Sequence, residues 1–161
     1  MSEKEFISLL DQHQKIIHKI CRMYMQDAHS REDLFQEIIL QAWKAYPSFR
    51  KESQFSTWLY RVALNTAITF FRKESKKPAI IRNELPEVAE TGDDKKEQLS
   101  ILYKAIAELS DVDKALVMLF LEDYSHIQIG EILGITPNNV AVKLNRIKLK
   151  LKEKTVKNYQ L

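Results

Sequence analysis

The chain is expected to be all-α, built as two small helical domains joined by a flexible linker. Three observations predict this. Three Gly and four Pro in 161 residues give little punctuation for a turn-rich β protein. No run of alternating β-branched or aromatic residues is bounded by turn signals, so strands lack sequence support. Apolar residues instead recur at helical spacing in two blocks, separated by a stretch that carries no apolar stripe. The boundaries read as residues 1–75 for the first domain, 76–97 for the linker and 98–161 for the second domain.

In the first block, Phe6, Leu9, Leu10, His13, Ile16, Ile17, Ile20 and Tyr24 form one helical stripe, with His13 as a half-buried polar exception. The segment DAHSRED breaks it. Ser30 with Asp33 three residues on is read as a capping box that opens a second helix. Leu34, Phe35, Ile38, Ile39, Ala42, Trp43 and Tyr46 give that helix a broad apolar face, and Pro47 ends it. After the loop PSFRKESQF, Ser56 or Thr57 is expected to cap a third helix running to about Lys73. That helix is almost wholly apolar, except that Arg61, Asn65 and Thr69 recur every fourth residue as one polar seam. Such a seam suits single-stranded DNA, with amides and hydroxyls on a base edge and the cations Arg72 and Lys73 on the backbone. Phe49 or Phe55 in the preceding loop could flank an unstacked base. On the second helix Asp33, Gln36 and Glu37, with Gln41 a turn further, form an acidic and polar strip fit for a basic partner surface.

Residues 74–97 contain Pro78, Pro86, Gly92 and mixed charges. A loop above about 15 residues is unusual inside a compact domain, so this stretch reads as a tether.

In the second block, Leu99, Leu102, Ile106 and Leu109 share one helix face. Ser110 then caps a helix carrying Val112, Ala115, Leu116, Leu119 and Phe120. Ser125 with Gln128 makes a further capping box, and Ile127, Ile132 and Leu133 are expected to face inward. Gly130 sits in mid-helix at a cost of roughly 1 kcal/mol against alanine, which close packing would justify. Gly134 is placed for a left-handed stop, Thr136 for a cap, and Pro137 for the first helical position. This is helix-turn-helix spacing. On the last helix, Val140, Leu144, Ile147 and Leu151 form the inward stripe. Asn138, Asn139, Val142, Asn145 and Arg146 form the opposite face, flanked by Lys143, Lys148 and Lys150. Asn can pair with adenine edges, Arg with guanine, and an exposed Val with a thymine methyl. Flanking lysines suit phosphates.

Charge supports a local rather than a general contact with nucleic acid. Net charge is only +3, but residues 143–161 hold seven Lys/Arg against one Asp/Glu, while residues 99–142 hold two against six. No segment has the apolar length of a signal peptide or a membrane span, so a cytoplasmic protein without membrane insertion is expected. Cys21 is the single cysteine, which excludes an intramolecular disulfide. His13, His18, His29, His126 and Cys21 show no metal-ligand pairing, and neither a metal nor a cofactor is expected.

The runs DLFQE at 33–37, Ala-Trp at 42–43 and FSTWLYRVALN at 55–65 resemble region 2 of bacterial RNA polymerase sigma factors. The second block is similar to their region 4. The order, with a short tether and no intervening region 3 domain, resembles the extracytoplasmic-function (ECF) subgroup. The resemblance implies a promoter-specificity subunit without catalysis of its own. It implies docking of Asp33, Leu34, Gln36, Glu37, Ile38 and Gln41 on the β′ clamp coiled coil of core RNA polymerase, and contact of the second domain with the β flap. It further implies capture of a flipped −10 base by the loop and third helix, through Phe49, Phe55, Arg61, Asn65, Thr69, Arg72 and Lys73. The −35 element of promoter DNA would meet Thr136, Asn138, Asn139, Val142, Lys143, Asn145, Arg146 and Lys148. An anti-sigma factor is an expected partner. Ala141, Val142 and Thr69 depart from the family pattern, so base preferences are not carried over there. The competing reading is a stand-alone helix-turn-helix regulator binding operator DNA as a dimer, although no dimerisation helix or ligand domain stands out. For an enzyme, a nucleophile–base pair, phosphate-cradling loop or metal cluster is missing from the sequence.

Overall fold

The computed structural model describes residues 3–76, 101–102 and 104–159, with side chains to residue 155. The chain divides into two compact units, residues 1–82 and 83–161. The expected tether at 76–97 lies almost wholly outside the described residues, as does Leu99.

The first unit contains α1 (Glu3–Gln12), α2 (Gln14–Tyr24), α3 (Ala28–Ala45), a 3-10 turn (Tyr46–Ser48) and α4 (Phe55–Ser75). Helices α2, α3 and α4 pack on one another. Their core holds Ile17, Ile20, Tyr24, Leu34, Ile38, Ala42, Leu59, Ala63, Leu64 and Ala67, each buried. Burying an aliphatic side chain of this size stabilises by roughly 1.5–3 kcal/mol. The first stripe is two helices rather than one: the chain breaks at His13, which is half-buried and whose Nδ1 lies 2.8 Å from the Leu9 carbonyl oxygen. The cap of α3 is also displaced from the expected Ser30. Asp27, itself buried, accepts from the Ser30 amide at 2.9 Å, and Ser30 lies inside the helix. Both carry suitable oxygens, and the upstream one wins because α3 gains another turn. Likewise α4 starts at Phe55 after Gln54, with no side-chain cap, so Ser56 and Thr57 are helical residues.

In the second unit helical backbone is described at 101–102 and 104–107 (α5), followed by α6 (Asp111–Leu121), α7 (His126–Leu133) and α8 (Pro137–Tyr159). Ile106, Leu109, Leu116, Leu119, Ile129, Ile132, Val140, Leu144 and Ile147 are buried. Ser110 accepts from the Asp113 amide at 3.2 Å. Ser125 and Gln128 form the reciprocal capping box. Ile127 does not face inward: it is 63% exposed, because buried Ile129 and Ile132 take the inward side of α7 and a residue two positions before Ile129 falls on the other side of the helix.

The corner between α7 and α8 is set by Gly130 and Gly134. Gly134 takes φ 75°, the left-handed conformation that stops α7. Its amide and that of Ile135 both donate to the Gly130 carbonyl, at 2.8 and 3.0 Å. The returning chain comes so close that a Cβ on Gly130 would lie 2.5 Å from the Ile135 carbonyl oxygen. The close packing that justifies this glycine is therefore with the turn's own backbone. Thr136 Oγ1 then accepts from the Asn139 amide at 3.1 Å and starts α8.

An exposed mid-helix Gly→Ala change ordinarily adds about 1 kcal/mol. Gly130→Ala is expected to do the reverse, destabilising the second unit by about 1–3 kcal/mol through overpacking. Urea unfolding followed by circular dichroism checks this, and a stabilised variant would refute the close approach.

Candidate nucleic-acid interface

The polar seam of α4 is presented to solvent. Arg61, Asn65 and Thr69 are exposed at successive turns, and Arg72 and Lys73 are exposed beyond them. Thr69 Oγ1 donates to the Asn65 carbonyl at 2.9 Å, which leaves the hydroxyl free to accept a hydrogen bond. The two terminal cations also suit the negative end of the helix.

The loop aromatics are placed differently from expectation. Phe49 and Phe55 are buried. Phe49 lies 5.8 Å from Phe55 and 5.2 Å from Trp58, ring centre to ring centre, and Phe55 lies 5.4 Å from Trp58. Tyr46 joins the cluster at 6.1 Å from Phe49. Such ring contacts stabilise beyond their buried area. Phe49 and Phe55 are thus the floor of the loop, and neither offers a face to an unstacked base. Trp58 is half-buried at the edge of the cluster.

The strip on α3 also needs correction. Asp33 and Gln36 are exposed, with Asp33 3.5 Å from His29; Glu37 and Gln41 are half-buried and joined at 2.9 Å. Leu34 and Ile38, assigned to the same contact, are 0% exposed. They belong to the buried core of the first unit and offer no surface in this structure. The apolar groups that do reach the surface are Leu40 and Trp43, each 45% exposed. They continue the line of Asp33 and Gln36 at helical spacing. The sequence hid them because an apolar residue on a broad stripe reads as core until its neighbours are known.

On α8, Asn138, Asn139, Val142, Asn145 and Arg146 are exposed along one face, opposite buried Val140, Leu144 and Ile147. Lys143 is half-buried. Lys148 holds its ammonium 4.5 Å over the Phe120 ring, and Lys150 is exposed. Thr136 is exposed at the helix start, its hydroxyl engaged in the cap. Among the described residues no group of three or more His, Cys, Asp or Glu stands together, and no helix is long and apolar enough to cross a membrane.

Two sigma-70 family models match the chain, region 2 over residues 9–77 and region 4 over residues 99–151. The chain is 29% identical to the ECF RNA polymerase sigma factor SigW of Bacillus subtilis (strain 168), over 88% of this chain and 83% of that one. It is 28% identical to the RNA polymerase sigma factor SigV of the same organism, over 87% and 84%. Its fold is similar to that of the sigma factor RpoE from Bartonella quintana, solved with the anti-sigma factor NepR. The TM-score is 0.74 at 20% identity, covering 94% of this chain and 96% of that one. At such identity the structural likeness speaks to fold alone.

A shallow cleft of about 270 Å³ between α2 and α3 belongs to none of these faces. It is lined by His18, Cys21, Arg22, Arg31, Glu32 and Phe35. Burial pushes the Cys21 thiol from its ordinary 9.0 up to about 12, against the opposing pull of Arg31. The thiol is therefore neutral and unreactive near neutrality. Because the folded value is raised, this group's contribution to stability is complete below pH 9 and is lost as pH rises toward about 12. Native protein is expected to resist iodoacetamide at pH 8, with labelling appearing only as urea unfolds the first unit. Rapid alkylation without denaturant would contradict the burial.

Proposed function

The chain belongs to the sigma-70 family, in its ECF group, and from that membership we propose how its exposed faces divide the work of promoter recognition. It is a sigma factor that binds core RNA polymerase and directs initiation at particular promoters by melting the −10 element and reading the −35 element. It carries no catalytic chemistry and acts in the cytoplasm beside the polymerase. The observation that carries the assignment is the pair of outward polar faces, one on each unit: Arg61–Asn65–Thr69 on α4 and Asn138–Arg146 on α8.

The strip Asp33, Gln36, Glu37 and Gln41 meets the β′ clamp coiled coil, with Leu40 and Trp43 supplying the apolar contact that Leu34 and Ile38 cannot. Partly exposed aromatic side chains beside polar groups are the usual anchors of such interfaces. The seam on α4 takes the opened strand. Flipping a base costs a few kcal/mol in unstacking. The Asn65 amide and the Thr69 hydroxyl satisfy a base edge, while Arg61, Arg72 and Lys73 hold phosphates. On the second unit, Arg146, Asn145, Asn139 and Asn138 read base edges in the major groove and Val142 meets an apolar group. Lys143 and Lys148 position the helix on the backbone. The regulatory partner is of the anti-sigma class, the class found with the RpoE fold. An operator-binding regulator acting alone is not favoured, because the matched regions are those of a polymerase subunit.

The direct test adds the protein to core polymerase and maps initiation sites; absence of directed initiation would end the assignment. Within that assay Asn65→Ala is expected to impair strand opening more than polymerase binding, and equal loss of both would count against the seam. Arg146→Ala is expected to weaken −35 recognition by about 1–3 kcal/mol and to relax the preference at one base pair. An unchanged −35 preference would remove Arg146 from the reading face.

A further inference from the structure

Helix α1 buries only Phe6 and Leu10. Its ring contacts and its ion pair fall on the loop between the 3-10 turn and α4 and on the elements that lead into it. Ahead of the loop, the Phe6 ring lies 5.1 Å from Trp43 on α3 and 4.9 Å from Tyr46 in the 3-10 turn, and Tyr46 stacks on Phe49 at the loop's start. In mid-loop, Glu5 reaches Lys51 at 3.9 Å. At its end, His13, where α1 gives way to α2, lies 5.1 Å from Phe55, the first residue of α4. Helix α1 thus packs on the elements that lead into the loop through Phe6 and meets the loop itself through Glu5, while His13, just past its end, packs on the first residue of α4.

The loop itself is held away from its easiest conformation. Lys51 has φ 58°, the left-handed region that side chains other than Gly, Asn and Asp seldom adopt. Tyr46, in the turn before the loop, buries a hydroxyl with no hydrogen-bond partner among the described residues. Such local costs persist where the surroundings over-determine a conformation, and they gather where a conformation is used.

We propose that α1 is a positioning element for loop 49–54, fixing through Phe6, Glu5 and His13 the frame in which the seam on α4 receives an opened strand. This rests on the function proposed above for the seam. None of the three residues need touch DNA. Phe6 sets the height of the Tyr46–Phe49 floor, Glu5 holds Lys51 in its left-handed turn, and His13 anchors the far end. Lys51 is thereby tied to α1, and its role differs from that of a cation lent to a phosphate.

The test uses full-length protein, free and in reconstituted polymerase. Two quantities are read: hydrogen exchange of the amides at 49–54 in the free protein, and permanganate reactivity of −10 thymines in the complex. The Glu5–Lys51 pair is solvent-exposed, so Glu5→Lys and Lys51→Glu are each expected to speed loop exchange and reduce opening by about two- to fivefold. Polymerase affinity and thermal stability should stay as in wild type. The double swap is expected to restore both readouts, which a lost phosphate contact at Lys51 would not allow. Lys51→Gly accepts φ 58° without strain. It should therefore leave stability unchanged or raised, yet lose as much opening as Lys51→Glu. Single variants that exchange and open like wild type would overturn the proposal, as would a double swap whose losses add. If the wild-type chain opened no promoter, the function assigned to the seam would fall, and loop exchange alone would still decide whether α1 braces the loop.

Discussion

A helix face given to the core cannot also be given to a partner, and the packing of α2, α3 and α4 decides that allocation for the first unit. Leu34, Ile38 and Ala42 turn one side of α3 inward, while Leu59, Ala63, Leu64 and Ala67 do the same for α4. With these registers fixed, Asp33, Gln36, Leu40 and Trp43 must line the outside of α3, and Arg61, Asn65 and Thr69 the outside of α4. Displacing either register would bury charge or expose core at several kcal/mol. The faces proposed for function are therefore what remains once the apolar residues are satisfied.

The second unit solves a related problem with backbone rather than side chains. A recognition helix must leave its partner helix at a defined angle. Here one carbonyl, that of Gly130, accepts from two successive amides of the turn. Gly134 supplies the left-handed stop, and Thr136 with Pro137 restarts the helix immediately. The corner uses few residues and leaves the outer face of α8 free of structural duties. Lys148 is the exception, since its stem and charge lie across Phe120. It packs the helix flank while keeping a cation near any backbone that enters.

What could be read in advance follows the same division. The second unit was legible almost residue by residue, because caps and stops depend on local chemistry: Ser110, Ser125 with Gln128, Gly134 and Thr136 all act as their sequence neighbours require. In the first unit the local signals were ambiguous. Asp27 and Ser30 both carry capping oxygens, and the chain used the one that lengthened the helix. The break at His13 leaves the apolar spacing intact, so periodicity does not reveal it. Exposure was the harder quantity. Phe49 and Phe55 sit beside the expected strand-binding face but are consumed by an aromatic cluster. Leu34 and Ile38 sit among contact residues in sequence, and even beside Glu37 and Gln41 on the helix, but on the edge of that strip that the core covers. Sequence spacing gives the angle between residues; which angle meets a neighbour depends on the other helices.

The energetics explain why such a protein would work as part of a larger assembly. Each unit offers few cations on its reading face, so the counterion release that drives nucleic-acid binding is small for either alone. Seven basic residues against one acid at 143–161 favour duplex locally, while the acidic stretch before them does not extend the attraction. Joining two weak modules on one chain raises the effective concentration of the second once the first is bound, provided the span between the sites is fixed. In the function proposed above, a polymerase surface would fix it. Weak modules also protect specificity, because neither face alone can hold the protein at the many near-matching duplex sites it meets. Affinity withheld from each unit is thus what makes recognition depend on both elements being present together.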